Sequence, residues 1–221
     1  MSSLFTRAKS AARLPQQLPW TKYTRFASRF LIRPPSKAAP RESPTPLVFV
    51  SSSEWQQESS SGLVHLSSML SEKGFTCLEI DLVYPKKSES AELMTHFEDE
   101  LRQHIRLSSL IFPPVIFSRS LGSLIAQTYV SSNPAAGMVL IDPPATTAFC
   151  QKVGALPTPL KEFDYEPHFP IAVVNAPIQM RKFQEQSRFG ASEDIDWLVV
   201  ESLENGGMVA TVEQWLDEVG V

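Results

Sequence analysis

From residue 47 onward the chain alternates short, continuously apolar runs with amphipathic stretches, and that alternation restricts the possible folds more than any other feature. Leu47-Val48-Phe49-Val50 is the first run and ends in the polar loop Ser51-Ser52-Ser53. Thr76 to Val83, Val115-Ile116-Phe117, Met138-Val139-Leu140-Ile141, Ile171-Ala172-Val173-Val174 and Trp197-Leu198-Val199-Val200 follow. Runs of this length bounded by turn residues read as strands buried on both faces. Between them the apolar spacing becomes helical. Leu63, Leu66, Met69 and Leu70 mark a helix over 62–73 that Gly74 stops, and Leu93, Phe97, Leu101 and Ile105 recur every fourth residue over 89–107. Residues 123–131, 178–189 and Thr211 to Val219 complete the helical set. The expected fold is therefore α/β, a mostly parallel twisted sheet of about six strands with helices on both faces. Residues 142–170 carry six prolines, which predicts a covering loop without helix and no large lid domain.

Charge divides the chain in two. Residues 1–41 hold nine of the 20 basic residues and none of the 24 acidic ones, so residues 42–221 carry a net charge of −13. In residues 4–14, Leu4, Phe5, Ala8, Ala11 and Ala12 share one helical face, and Arg7, Ser10 and Arg13 lie towards the other. An amphipathic, arginine- and serine-rich, acid-free beginning is the composition of a mitochondrial transit peptide. A basic helix of this kind binds anionic membrane, and the membrane potential draws its cations inward. The expected organisation is a leader over 1–33, a proline-rich linker over 34–46 and a globular domain over 47–221, located in mitochondria, in the matrix. Cleavage is expected near Arg25-Phe26-Ala27-Ser28 or Arg29-Phe30-Leu31. The alternative reading of the same residues is a basic tail that binds something acidic.

The acidic body argues against a nucleic-acid partner, which needs a positive footprint. No stretch approaches the roughly 18 apolar residues of a membrane-spanning helix. Cys77 and Cys150 are too isolated in sequence to suggest a zinc site or a disulfide framework. Neither of the glycine-rich phosphate-binding patterns occurs, so no cofactor is expected.

Ser118-Arg119-Ser120-Leu121-Gly122 falls where the third strand turns into a helix. In the G-x-S-x-G elbow the central serine is held on a strained turn that exposes its hydroxyl, and its flanking positions are small because strand and helix approach closely. Gly122 satisfies one such position, and Ser118 substitutes for the other glycine. Together with Met138-Val139-Leu140-Ile141-Asp142-Pro143, this run resembles the α/β-hydrolase superfamily, with the chain from about residue 46 beginning at that fold's third strand. The resemblance implies Ser120 as nucleophile, with the Leu121 amide and an amide in Ser51-Ser52, taken as that of Ser52, forming the oxyanion hole.

The departures from that pattern are as informative. The family places an acid after the strand corresponding to Ile171–Val174, where this chain reads Asn175-Ala176-Pro177-Ile178-Gln179. It places the general base after the last strand, where this chain reads Asn205-Gly206-Gly207-Met208-Val209 with Met208 in the histidine's place. Serine is a poor nucleophile without a base, and methionine cannot take a proton. His65, His96 and His104 fall on outer helices, and His168 lies before the fifth strand at the opposite edge. Asp142 is a weak candidate for the acid, or else a carboxylate that caps a loop. Two readings stand: a catalytically degenerate protein that binds a protein partner or a small acyl or ester ligand, or an active serine esterase or thioesterase whose base lies elsewhere.

Overall fold

The computed structural model describes residues 28–166, 168–204 and 206–221. Seven strands form one sheet: β1 (Arg29–Arg33), β2 (Leu47–Ser51), β3 (Cys77–Asp81), β4 (Val115–Arg119), β5 (Gly137–Ile141), β6 (Ile171–Asn175) and β7 (Ile195–Val199). Their order across the sheet is β1-β3-β2-β4-β5-β6-β7, and every pairing is parallel except β1 with β3. The helices are α1 (Leu63–Glu72), α2 (Ser90–Leu107), α3 (Gly122–Val130), α4 (Thr147–Lys152), α5 (Pro177–Gln186) and α6 (Gly206–Glu218).

Strand side chains alternate between two cores because successive Cβ atoms point to opposite faces. Val48, Val50, Leu78, Ile80, Ile116 and Leu140 meet α2, α3 and α5 on one face. Leu47, Phe49, Cys77, Val115, Phe117 and Val139 meet α1 and α6 on the other. The central strands are apolar except at their carboxyl ends, where Ser51, Ser118 and Arg119 stand, because both faces are covered. Among the described residues, no helix is long and apolar enough to cross a membrane.

The expected six strands become seven, and the additional one is β1. Residues 1–27 of the leader expected over 1–33 lie outside the described residues, but Arg29–Arg33 are paired in register with Cys77–Asp81. Three contacts fasten this strand. Ser28 hydrogen-bonds Glu100, Phe30 stacks on His104 with ring centroids 5.6 Å apart, and Arg33 pairs with Glu79. The sheet thus includes residues 29–33, which fall within the expected leader, and its first strand lies before the one at residue 47 from which the fold was expected to begin. Its apolar centre, Phe30-Leu31-Ile32, is too short for a periodicity to stand out beside the basic residues around it.

Residues 34–46, expected as an extended linker, are docked on α1. Ser36 donates its amide to Ser71 O at 2.9 Å, and Ser43 donates to Gly74 O at 2.9 Å. Gly74, at φ +106°, sits so close to this segment that an added Cβ would lie 1.9 Å from Arg41 O. The expectation of a covering loop without helix over 142–170 is likewise corrected by α4. Thr146 caps that helix, its side chain accepting from the Phe149 amide at 3.1 Å. The surrounding prolines hid a single short capped helix.

Candidate functional site

Ser120 occupies the turn between β4 and α3 with φ +50°, in the left-handed region. A non-glycine residue there is strained by about 1 kcal/mol or more and persists only where its surroundings hold it. Here they do. The Ser120 amide donates to Ile141 O at 2.9 Å, and its carbonyl accepts from the Ser123 amide at 3.0 Å and from the Ser123 hydroxyl. Gly122 has the close approach expected of its position, since an added Cβ would lie 3.3 Å from Val50 O and 3.8 Å from the Ser118 Cβ. The Ser120 hydroxyl has no hydrogen-bond partner among the described residues and faces a cavity of about 720 Å³.

That cavity lies at the carboxyl ends of the parallel strands, where open α/β sheets bind ligands. Trp55 and Gln56 come from the loop after β2, Ser120 and Leu121 follow β4, Asp142 to Ala145 follow β5, Asn175 ends β6 and Gln179 lies in α5 after it. Phe149, Val153 and Ala155 close it from the side of α4. The Trp55 indole nitrogen donates to Ala155 O at 2.9 Å, joining this cover to the β2 loop. Among the described residues, Asp142 and Lys182 are the ionisable side chains on the wall. Asp142 also has a positive φ, +47°, and its amide donates to Val174 O at 2.9 Å. With the Asn175 side chain turned so that its nitrogen faces Asp142, it donates to Asp142 Oδ1 at 3.2 Å and to Val174 O at 3.3 Å.

The two amides expected to form an oxyanion hole are both engaged. Leu121 donates its amide to Gln56 Oε1 at 2.9 Å. Ser52 donates to Ser59 Oγ at 3.1 Å, and it is fully buried and absent from the cavity wall. The next amide, Ser53, is bound to Asp81 Oδ1 at 2.8 Å. Asp81 anchors this loop further by accepting from the hydroxyls of Ser51 and Ser53. Together with Glu79, which pairs with Arg33, it lines a second cavity of about 640 Å³ beside β1. The carboxylates of that cavity are thus already matched.

No histidine reaches Ser120. His65 and His96 are exposed on α1 and α2, and His96 lies 3.7 Å from Glu100. His104 stacks on Phe30, and His168 is exposed ahead of β6, at the amino edge of the sheet. Met208 does not stand in the cavity either. Because α6 begins at Gly206, Met208 falls in its first turn and is buried with Val209, Val212 and Trp215 in the core on the α1 side. The loop before α6 is tied to the elbow by Arg119, whose guanidinium donates to Ser61 O at 2.9 Å and pairs with Glu204 at 2.9 Å.

Of the sequence-derived candidates, Ser120, Leu121 and Asp142 therefore share one cavity, and Ser52 does not. Sequence reasoning missed Gln56, Lys182 and Gln186, all on that wall, and gave Asn175 and Gln179 no role beyond marking a missing acid. Gln56 could have been suspected as a polar residue in the loop at the carboxyl end of β2. Lys182 and Gln186 lie one turn apart on an otherwise ordinary amphipathic helix, so nothing in their spacing marks them.

No family model matches the sequence, and no curated protein is similar enough to count as a match. Solved structures do match. Esterase 2 of the planctomycete Thermogutta terrifontis, with butyrate bound, superposes with a TM-score of 0.63 at 15% identity, covering 90% of this chain and 92% of that one. Est1E of Butyrivibrio proteoclasticus, with ferulic acid bound, gives 0.56 at 11% identity, covering 86% and 93%. The esterase domain of a Rhodothermus marinus protein gives 0.55 at 14% identity, covering 88% of this chain and all of that one. The fold shared with these esterases is that of the α/β-hydrolases.

Proposed function

We propose that this α/β-hydrolase-fold protein binds a small acyl compound, a short carboxylic acid or its ester, in the cavity at Ser120 without hydrolysing it. The observation that carries the reading is the Ser120 hydroxyl facing that cavity with no imidazole on its wall. Hydrolysis through serine requires a base to take the hydroxyl proton and return it to the leaving group. Asp142 accepts a hydrogen bond from Asn175 at one of its oxygens, and no histidine stands beside the serine to share its proton. Removing the base of a serine hydrolase costs on the order of a millionfold in turnover. The retained elbow then serves as one wall of a binding site, with Trp55, Leu121, Phe149 and Phe183 offering apolar surface to an acyl chain. Butyrate and propionate complexes of the Thermogutta esterase support this ligand class for the fold.

The experiment is hydrolysis of short-chain nitrophenyl esters by the purified protein and its Ser120→Ala variant, with fluorophosphonate labelling alongside. Equal background rates and no labelling are expected. Rapid stoichiometric labelling of Ser120 would overturn the reading in favour of an esterase. The basic leader composition leads us to propose further that the protein resides in mitochondria, with its leader ending before β1.

A further inference from the structure

The Leu121 amide is the donor that an acyl oxygen would be expected to use in this cavity, and the chain has already placed an acyl oxygen there. Gln56 Oε1 accepts from it at 2.9 Å, and Gln56 lines the same cavity as Ser120. The carboxamide is chemically a bound carbonyl compound carried on the loop after β2. From this we infer that Gln56 is an internal competitor for the acyl site, so that a ligand occupies the Leu121 amide only by displacing it. This rests on the binding reading above and adds to it a selectivity.

An ester carbonyl is a weaker acceptor than the amide carbonyl it would replace, so the exchange gives an ester no advantage. A carboxylate accepts a charge-assisted hydrogen bond, roughly twice as strong as a neutral one. Lys182, on the same wall, adds a counter-charge for an anion. Asp142 opposes it, since its carboxylate also faces the cavity and is only partly satisfied by Asn175. The latch therefore selects free monocarboxylates with an apolar tail over their esters. The Leu121 amide is available to make the exchange because it precedes α3, whose first turn leaves backbone donors without helical partners.

The test uses the full chain with butyrate and methyl butyrate as probes, read by titration calorimetry and by hydrogen exchange at the Leu121 amide. In the unmodified protein, butyrate should bind and methyl butyrate should not compete with it. Gln56→Ala should speed exchange at Leu121 and tighten butyrate binding about three- to tenfold, the worth of one net hydrogen bond. Gln56→Glu, which keeps an acceptor and adds negative charge, should weaken butyrate binding. Unchanged Leu121 exchange in Gln56→Ala would overturn the latch, whatever the ligand. Equal butyrate affinity with and without Gln56 would overturn the competition and leave the binding reading standing. Accelerated exchange with no butyrate binding in any variant would overturn both.

Discussion

The Asn175 amide nitrogen lies 3.2 Å from Asp142 Oδ1, so the ends of two adjacent strands, β5 and β6, meet at the cavity floor through one carboxamide and one carboxylate. Asn175 is 1% exposed, so this neutral donor meets part of the Asp142 carboxylate's hydrogen-bonding capacity without a second charge beside it.

Asn175→Asp should show how much that neutrality matters. Two carboxylates at this separation cannot both ionise, and one is held protonated well above the ordinary Asp value of about 4. A raised carboxyl pKa in the folded state means stability that is present below pH 4 and lost as pH rises through the raised value. We expect the variant to unfold at near wild-type urea concentration at pH 4 and to lose about 2 kcal/mol at pH 7. Equal midpoints at both pH values would contradict the pairing.

The position of β1 predicts where the chain can be shortened. Phe30, Leu31 and Ile32 are 40%, 45% and 43% exposed, so each buries a little over half of its surface. At about 1 kcal/mol for each, together with the loss of the strand pairing, removing β1 should cost on the order of 3 kcal/mol. A fragment of residues 28–221 should therefore melt like the full chain, whereas 34–221 should melt well below it and expose the edge of β3 to aggregation. Circular dichroism melts of the two fragments check this.

The cysteines should behave as inert core residues. Both are fully buried, and burial pushes the Cys77 thiol up to about 12 and the Cys150 thiol up to about 11 from an ordinary 9.0. A disulfide reagent at pH 8 should label neither in the native protein and both in urea. Because these pKa values are raised in the folded state, their stabilisation is complete below pH 9 and lost as pH rises towards 11 and 12. The urea midpoint should hold steady to pH 9 and fall beyond it.

Targeting is tested with residues 1–27 alone fused to a fluorescent reporter. Import into mitochondria is expected, and replacing Arg7, Arg13 and Arg25 by Glu should abolish it. Cytosolic fluorescence from the unmodified fusion would remove the mitochondrial assignment.

Most of the fold could be read before any coordinates because it rests on local periodicity. Five of the six anticipated strands match β2 to β6 closely, the sixth is offset by two residues at its start, and the helices over 62–73 and 89–107 match α1 and α2. Strand and helix spacing are properties of ten or so consecutive residues, and a sheet buried on both faces writes them plainly. The turn at Ser120 was legible for the same reason, since strand, small residues and helix follow one another in the chain.

What tertiary structure decided was everything requiring two distant segments to meet. The strand status of Arg29–Arg33 depends on β3 lying 44 to 52 residues further on, because five residues with little apolar pattern acquire a conformation only from the edge they pair with. The engagement of the Leu121 amide depends on Gln56, 65 residues earlier, and that of the Ser52 amide on Ser59 closing its own loop. Met208 illustrates the limit most directly. Chain order put it at the family's histidine position, but the start of α6 at Gly206 turned it into the core instead. A residue's place in a motif is local, whereas the direction of its side chain is set by the packing of the helix that carries it.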